Sequence, residues 1–436
     1  MADRRTPRWS RRHARARTDI RVDDRGITRA PTTVVSKGSR TTKASTVSSD
    51  EQSLHLAVAL DGTGWHPASW REPSARPREL LTARYWADLV AHAERALADF
   101  VTIEDALALQ SDDGRHADDR TDRVRGRLDA VLIAARVAPG TQHIGFLPTA
   151  VVTHTEPFHV SKAIATLDYV SGGRAGLRVQ VTAAEDAARH FGRRDVTRLT
   201  GADLLDEAAD YVEVVRRLWD SWEDDAEIRD VATGRFIDRE KVHYIDFEGR
   251  FFSVRGPSIT PRPPQGQPVV AALAHGDLAY DLVARSADVG FVTPRDAAGV
   301  TAIVEAVAAR RAAGDPPVRV FADLEVYLGE TDAEAADRRA RLDERAGSRP
   351  AGDAHAFVGT PAGLADLLEE WHAAGATGFR LRPATLPDDL IAIADGLVPE
   401  LQRRGVYRTS YPGSTLRAVL GLSRPANRYA SSQDHR

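Results

Sequence analysis

Residues Gln142–Thr182 read QHIGFLPTAVVTHTEPFHVSKAIATLDYVSGGRAGLRVQVT, and this stretch sets the architecture. Ile144, Phe146 and Val151–Val152 form a short apolar run with β-branched members, as a buried strand requires. Thr153, His154, Thr155 and Glu156 then crowd polar groups into a loop. Pro157 suits the first turn of a helix, where its missing N–H would have no partner anyway. Val160, Ala163, Ile164, Leu167 and Val170 recur at helical spacing and predict one buried stripe. Ser171–Gly172–Gly173 ends the helix, because glycine adopts the left-handed conformation that closes it. Leu177, Val179 and Val181 alternate with Arg178, Gln180 and Thr182, as in a strand. Strand, crossover helix and strand make a right-handed parallel βαβ unit. Its polar loop sits where parallel α/β proteins place their sites.

Working outward, the same rhythm recurs. Strands are predicted at Leu54–Leu60, Phe100–Ile103, Val269–Leu273, Val289–Val292, within Val318–Leu328, and at Gly378–Leu381. Helices are predicted near Ala83–Ala98, Arg123–Val137, Leu204–Trp219, Val300–Ala313, Glu334–Arg345, Leu364–Ala374 and Asp389–Arg403, with one more between strands five and six. Eight strands alternating with helices point to an α/β chain folded as a (β/α)₈ TIM barrel. An open doubly wound sheet is weakened by the first strand's turn, where Gly62-Thr-Gly64 runs into Trp-His-Pro rather than a helix. Residues 221–267 interrupt the rhythm before strand five, and insertions of this length are usually functional or partner-binding. Arg250–Val254 within it is a candidate hairpin strand. Residues 405–430 are expected to form an ordered strap within a domain spanning 51–430. Residues 1–50 are Arg-rich, then Ser/Thr-rich, and are expected to be disordered and dispensable for folding; residues 431–436 are expected to fray.

Composition excludes several function classes. A chain of 436 residues with 42% hydrophobic and 28% charged residues is an ordinary globular protein. Its net charge of −4 gives no electrostatic reason to expect nucleic acid. It has no cysteine, hence no disulfide, thiolate metal site or cysteine nucleophile, which fits a cytoplasmic location. Leu128–Ala138 is too short an apolar run to cross a bilayer. No phosphate-cradling loop, nucleophile elbow or zinc-binding pattern occurs, and no metal is expected.

In a barrel the strand ends share one mouth. Here they contribute Asp61, Glu104 and Asp105, residues 149–159, residues 178–182, residues 274–276, Thr293, Tyr327, Arg380 and Arg382. Strand alternation places Arg178 in the lumen, where a buried guanidinium needs an anion or a set of carbonyls. A bridge to carboxylates such as Asp105 would satisfy it. His159 lies in the first helical turn, where the helix dipole disfavours its protonation.

Three long segments carry a family resemblance. They are THTEPFHVSKAIATLDYVSGGRAG; LWDSWEDDA with GRFIDREKVHYIDFEGRFFSVRGP and RPPQGQPVV; and FVGTPAGLADLLEEWHAAGATGFRLRPATLPDDL with VPELQRRGVYR and RPANRYA. Together they resemble the luciferase-like flavin-dependent monooxygenases, in the branch of nitrilotriacetate and dibenzothiophene-sulfone monooxygenases. The resemblance implies a bacterial-luciferase-like barrel with an insertion, and reduced FMN from a separate NAD(P)H:flavin reductase. It also implies O₂ activation on that flavin, a small organic substrate, and a homodimer or homotetramer. It implies flavin contacts from Asp105, Thr149, Thr155 and His159; His159, and beside it His154 in the preceding loop, are the catalytic candidates. Thr155 stands where the family has asparagine, Leu177–Arg178 where it has Trp-Asn, and Ala274–His275–Gly276 where it has Gly-Ser-Ser for the flavin phosphate. Arg178, His275 and Gly276 are therefore the expected phosphate donors. Hydride transfer with a deazaflavin and a non-catalytic flavin-binding subunit are the alternatives.

Overall fold

The computed structural model of the chain describes residues 53–111, 118–350 and 352–430. The expectations for residues 1–50 and for residues 431–436 lie outside the described residues.

In chain order the elements are β1 (His55–Leu60), α1 (Ala83–Arg95), β2 (Phe100–Ile103), α2 (Ala130–Val137), β3 (Gly145–Val151), α3 (Pro157–Ser171), β4 (Gly176–Gln180), α4 (Glu185–Phe191) and α5 (Gly201–Asp220). The insertion then supplies β5 (Glu227–Asp230), β6 (Arg235–Ile237), β7 (Phe247–Glu248) and β8 (Ser253–Val254). The barrel resumes with β9 (Val269–Ala274), α6 (Asp277–Ser286), β10 (Val289–Val292), α7 (Ala297–Ala309), β11 (Arg319–Leu328), α8 (Asp332–Ala346), β12 (His355–Gly359), α9 (Pro361–Ala373) and β13 (Gly378–Pro383). The chain ends with α10 (Asp388–Ala392), α11 (Val398–Arg403) and α12 (Leu416–Val419).

Parallel pairing runs β10-β9-β4-β3-β2-β1-β13-β11, and β11 returns to β10, closing an eight-stranded barrel. The central βαβ unit folds as its pattern predicts: Pro157 opens α3, and Gly172 closes it with φ 68°. Val160, Ile164 and Leu167 are buried, but Val170 is 48% exposed: in the last turn of α3 the buried face is taken by Leu167, Asp168 and Ser171 instead.

Three differences from the predicted elements have local causes. α2 starts at Ala130 rather than near Arg123, where the Asp129 side chain accepts from Leu132 N–H and caps it. The short charged helix α4 carries no long apolar stripe to announce it, and ends at Gly192 with φ 63°. β12 is a ninth strand that the sequence rhythm hides. β11 pairs with β10 only over Arg319–Ala322, so its outer half lies open to β12 over Leu324–Leu328.

Alternate strand residues face the helices and the lumen. Leu177, Val179, Val101 and Ile103 join the helix-facing core, together with Ile164 and Trp219. Phe100, Phe291 and Phe321 meet inside the barrel with ring centroids 5.5–6.3 Å apart. Leu416 and Leu420 of the C-terminal segment join them and plug the lumen floor. The insertion forms two hairpins, β5–β6 and β7–β8. Ile245, Phe247 and Phe252 of the insertion pack on Val214 and Leu218 of α5.

Candidate active site

Above the aromatic floor the lumen wall turns polar. On β2 the lumen-facing series is Phe100, Thr102 and, at the strand end, Glu104; on β3 it includes Thr149, whose register partner on β4 is Arg178. Arg178 Nη1 donates to Glu104 Oε2 at 2.6 Å and to Thr149 Oγ1 at 2.8 Å. Across the barrel, Arg380 Nε donates to Asp323 at 2.8 Å while its guanidinium lies 4.2 Å over the Phe291 ring. Arg382 bridges Asp323 and Asp353 and lies 4.5 Å over the Trp65 ring. Asp353 in turn lies 3.4 Å from His275 Nε2, and His275 Nδ1 lies 3.0 Å from Thr293 Oγ1.

The result is one chain of charge running from the lumen to the mouth. Burial alone would raise the pKa of Glu104, but Arg178 and Arg380 outweigh it and hold the carboxyl below its usual range. Burial is likewise outweighed at Asp323, here by Arg380 and Arg382. Glu325, one lumen-facing step further along β11, goes the other way: burial raises it. Three carboxylates (Glu104, Asp323, Asp353) face three guanidiniums (Arg178, Arg380, Arg382), so the network leaves no excess charge for a phosphate dianion.

The expected site residues fall into two groups. Thr149 and Arg178 meet in the lumen, and His275 with Gly276 stands at the mouth, tied to the lumen through Asp353. The others face elsewhere. Asp105 points out of the lumen and accepts from Ala130 N–H at 3.0 Å, at the start of α2. Its neighbour Glu104 takes the inward position, because strand side chains alternate. The anion expected for Arg178 is thus a carboxylate, and it belongs to Glu104 rather than Asp105. Thr155 turns toward α5, where its hydroxyl lies 3.0 Å from the buried Tyr211 hydroxyl. His159 is exposed on the outer first turn of α3. His154 is buried at the end of β3 and stacked on Phe191, with ring centroids 5.2 Å apart. Burial, and then Arg194, lower its pKa, and its Nε2 has no hydrogen-bond partner among the described residues.

Asp323, Glu325 and Asp353 were not among the strand-end residues named from sequence. The signal was present for two of them: Asp323 and Glu325 stand two apart inside the otherwise apolar strand RVFADLEVYL. Acids at that spacing in a buried strand share the lumen face.

The donor set suits a phosphate-bearing flavin. α6 begins after Gly276 with no side-chain cap; Ala279 N–H donates to Gly276 O at 3.0 Å, and the first two N–H groups, of Asp277 and Leu278, are left for an anion beside the His275 ring. Deeper in, Thr149, Gln180 and the unpartnered Nε of Arg178 supply polar groups of both kinds. A groove lined by Leu107, Leu109, Gln110, Val151, Gln180 and Thr182 opens from the ends of β2, β3 and β4. Among the described residues no cluster of histidines and acids is arranged to hold a metal ion, and no helix is long and apolar enough to cross a membrane.

Comparison with known proteins converges on one group. The luciferase-like monooxygenase family matches residues 63–347. N-acetyl-S-(2-succino)cysteine monooxygenase of Bacillus subtilis (strain 168) is 32% identical, over 88% of this chain and 100% of that protein. Nitrilotriacetate monooxygenase component A of Aminobacter aminovorans is 31% identical, over 86% of this chain and 98% of that protein. Dibenzothiophene-sulfone monooxygenase of Rhodococcus erythropolis (strain XP) is 29% identical, over 86% of this chain and 98% of that protein. Among solved structures, a riboflavin lyase with modified FMN and riboflavin superposes with a TM-score of 0.77 at 26% identity, covering 86% of this chain and 97% of that one.

Proposed function

The chain belongs to the luciferase-like monooxygenases, and from that membership we propose that it takes reduced FMN from a separate NAD(P)H:flavin reductase and places one atom of O₂ on a small organic substrate. The observation that carries the cofactor assignment is the uncapped start of α6 beside His275, at the rim of a closed parallel barrel. The modified FMN of the riboflavin lyase complex supports FMN over a deazaflavin, and the name of the nitrilotriacetate enzyme, component A, supports a partner reductase.

When bound, the reduced flavin supplies two electrons, so that one oxygen atom enters the substrate and the other leaves as water. This chain's residues bind, orient and exclude solvent. His275 and the first N–H groups of α6 would hold the phosphate; Asp353 and Thr293 fix the His275 ring. Thr149 and Gln180 would meet the flavin ring, on a floor held rigid by the Arg178–Glu104 and Arg380–Asp323 pairs. The hydrophobic part of the groove, with Leu107 and Leu109, would keep water from the reacting centre.

The test is turnover with a generic flavin reductase, NADH and FMN under ¹⁸O₂, offering nitrilotriacetate and N-acetyl-S-(2-succino)cysteine as first candidates. Mass-labelled product is expected only when reductase and protein are both present. Peroxide without labelled product across a broad panel, or NADH oxidation by the purified protein alone, would overturn the reading. Size-exclusion chromatography with light scattering checks the expected homodimer or homotetramer.

A further inference from the structure

The opposite end of the barrel holds a second cavity, of about 330 Å³, far from the strand ends that form the mouth. It lies between the starts of β1 and β11 and the C-terminal strap, and its lining includes His55, Arg319, His372, Thr377, Arg408 and Val419. The arginines are under-used. Among the described residues Arg319 makes one long contact, Nη2 to Gly421 O at 3.5 Å, and its buried Nε has no partner. Arg408 spends Nη2 on Asp99 at 2.6 Å, while its buried Nη1 has no partner among the described residues. The Arg408 side chain is only 9% exposed.

Charge does not balance here as it does in the lumen. Among the described residues two guanidiniums line the cavity and only Arg408 pairs with a carboxylate, Asp99, which also accepts from Leu56 N–H at 2.8 Å and lies 2.9 Å from His55 Nδ1. His372 Nδ1 faces Ala376 O at 2.8 Å, which leaves Nε2 as its remaining polar atom. Buried, unpartnered donors on excess positive charge are costly unless an anion meets them.

We propose that this cavity is an anion site for a small oxyanion of the phosphate or carboxylate class, bound by Arg319 and Arg408. The site has a mechanical consequence. Val419 on its wall belongs to α12, the same short helix whose first residue, Leu416, and following residue, Leu420, reach into the lumen floor. An anion bridging Arg319 of β11 and Arg408 of the strap therefore fastens the plug to the barrel.

The full-length protein is titrated calorimetrically with inorganic phosphate, with succinate and with chloride, and amide exchange is followed over residues 416–421. One oxyanion is expected to bind with one site per chain and to slow exchange there; whichever of the two binds names the source, and chloride does neither. Arg319→Gln should weaken that binding roughly ten-fold, as loss of a charge-assisted donor does. Its side chain makes a single long contact, so the fold should tolerate the change, and His372→Gln is the second variant, expected to weaken binding less. Absence of binding by both oxyanions overturns the proposal, as does affinity unchanged in both variants. Binding that is lost in His275→Ala but kept in Arg319→Gln would place the anion in the mouth and equally overturn it.

Discussion

Arg178 and Glu104 meet inside the barrel, Nη1 to Oε2 at 2.6 Å, with the two side chains 4% and 7% exposed. They are 74 residues apart in sequence and sit on strands separated by β3, whose Thr149 shares the same guanidinium nitrogen. An ion pair this deep is held as a unit: removing one member strands the other charge, at a cost of about 3–5 kcal/mol.

Arg178→Ala should therefore destabilise the protein by about that amount in urea unfolding, and weaken FMN and riboflavin binding alike. The double variant Arg178→Met with Glu104→Gln should recover part of the loss, since neither charge is then stranded. A loss confined to FMN would assign Arg178 to the phosphate instead.

His275→Ala should show the complementary pattern. The ring stands beside the uncapped start of α6, so FMN affinity should fall by about 1–2 kcal/mol, with riboflavin almost unchanged. Fluorescence-quenching titrations of the two flavins measure it. Equal loss for both would show that the residue shapes the mouth and does not contact the phosphate.

Thr155→Val tests a different role for a residue expected at the flavin. Its hydroxyl lies 3.0 Å from the hydroxyl of Tyr211, which is 1% exposed. Stability should drop by about 1–2 kcal/mol as the buried phenol loses its partner, while FMN affinity holds. A selective loss of FMN affinity would return Thr155 to the cofactor site.

Acid sensitivity follows from two histidines. Burial lowers the pKa of His66 below its ordinary 6.5 despite Asp343, and burial together with Arg194 lowers that of His154. Below pH 6.5 the unfolded chain takes up protons that the fold refuses, so the stability these groups contribute at neutral pH is lost as pH falls. His154→Phe keeps an aromatic ring against Phe191 and removes the titration. Its melting temperature should fall less than the wild type's between neutral and mildly acid buffer; identical slopes would acquit His154.

Much of the fold was legible because its causes are local. Apolar period, Pro157 at a helix start and Gly172 at its end act over a few residues, so the central βαβ unit and the barrel rhythm could be read directly. β12 could not: it exists because β11 outruns β10, a mismatch in length visible only once the strands lie side by side. α4 was missed because a short charged helix carries no long apolar stripe.

What the sequence determined by itself was the parallel α/β barrel, the position of the insertion, the inward face of Arg178 and its need for an anion, all consequences of periodicity and burial. Only the tertiary structure decided which anion. Asp105 and Glu104 are adjacent, and alternation along β2 sends one outward to the start of α2 and the other inward to Arg178. Likewise, only the folded chain shows that Arg382 and Asp353 link the lumen to His275. Side-chain direction is set by strand register, and register by pairing with distant strands, so a pair 74 residues apart is chosen by the closure of the barrel and not by its neighbours in sequence.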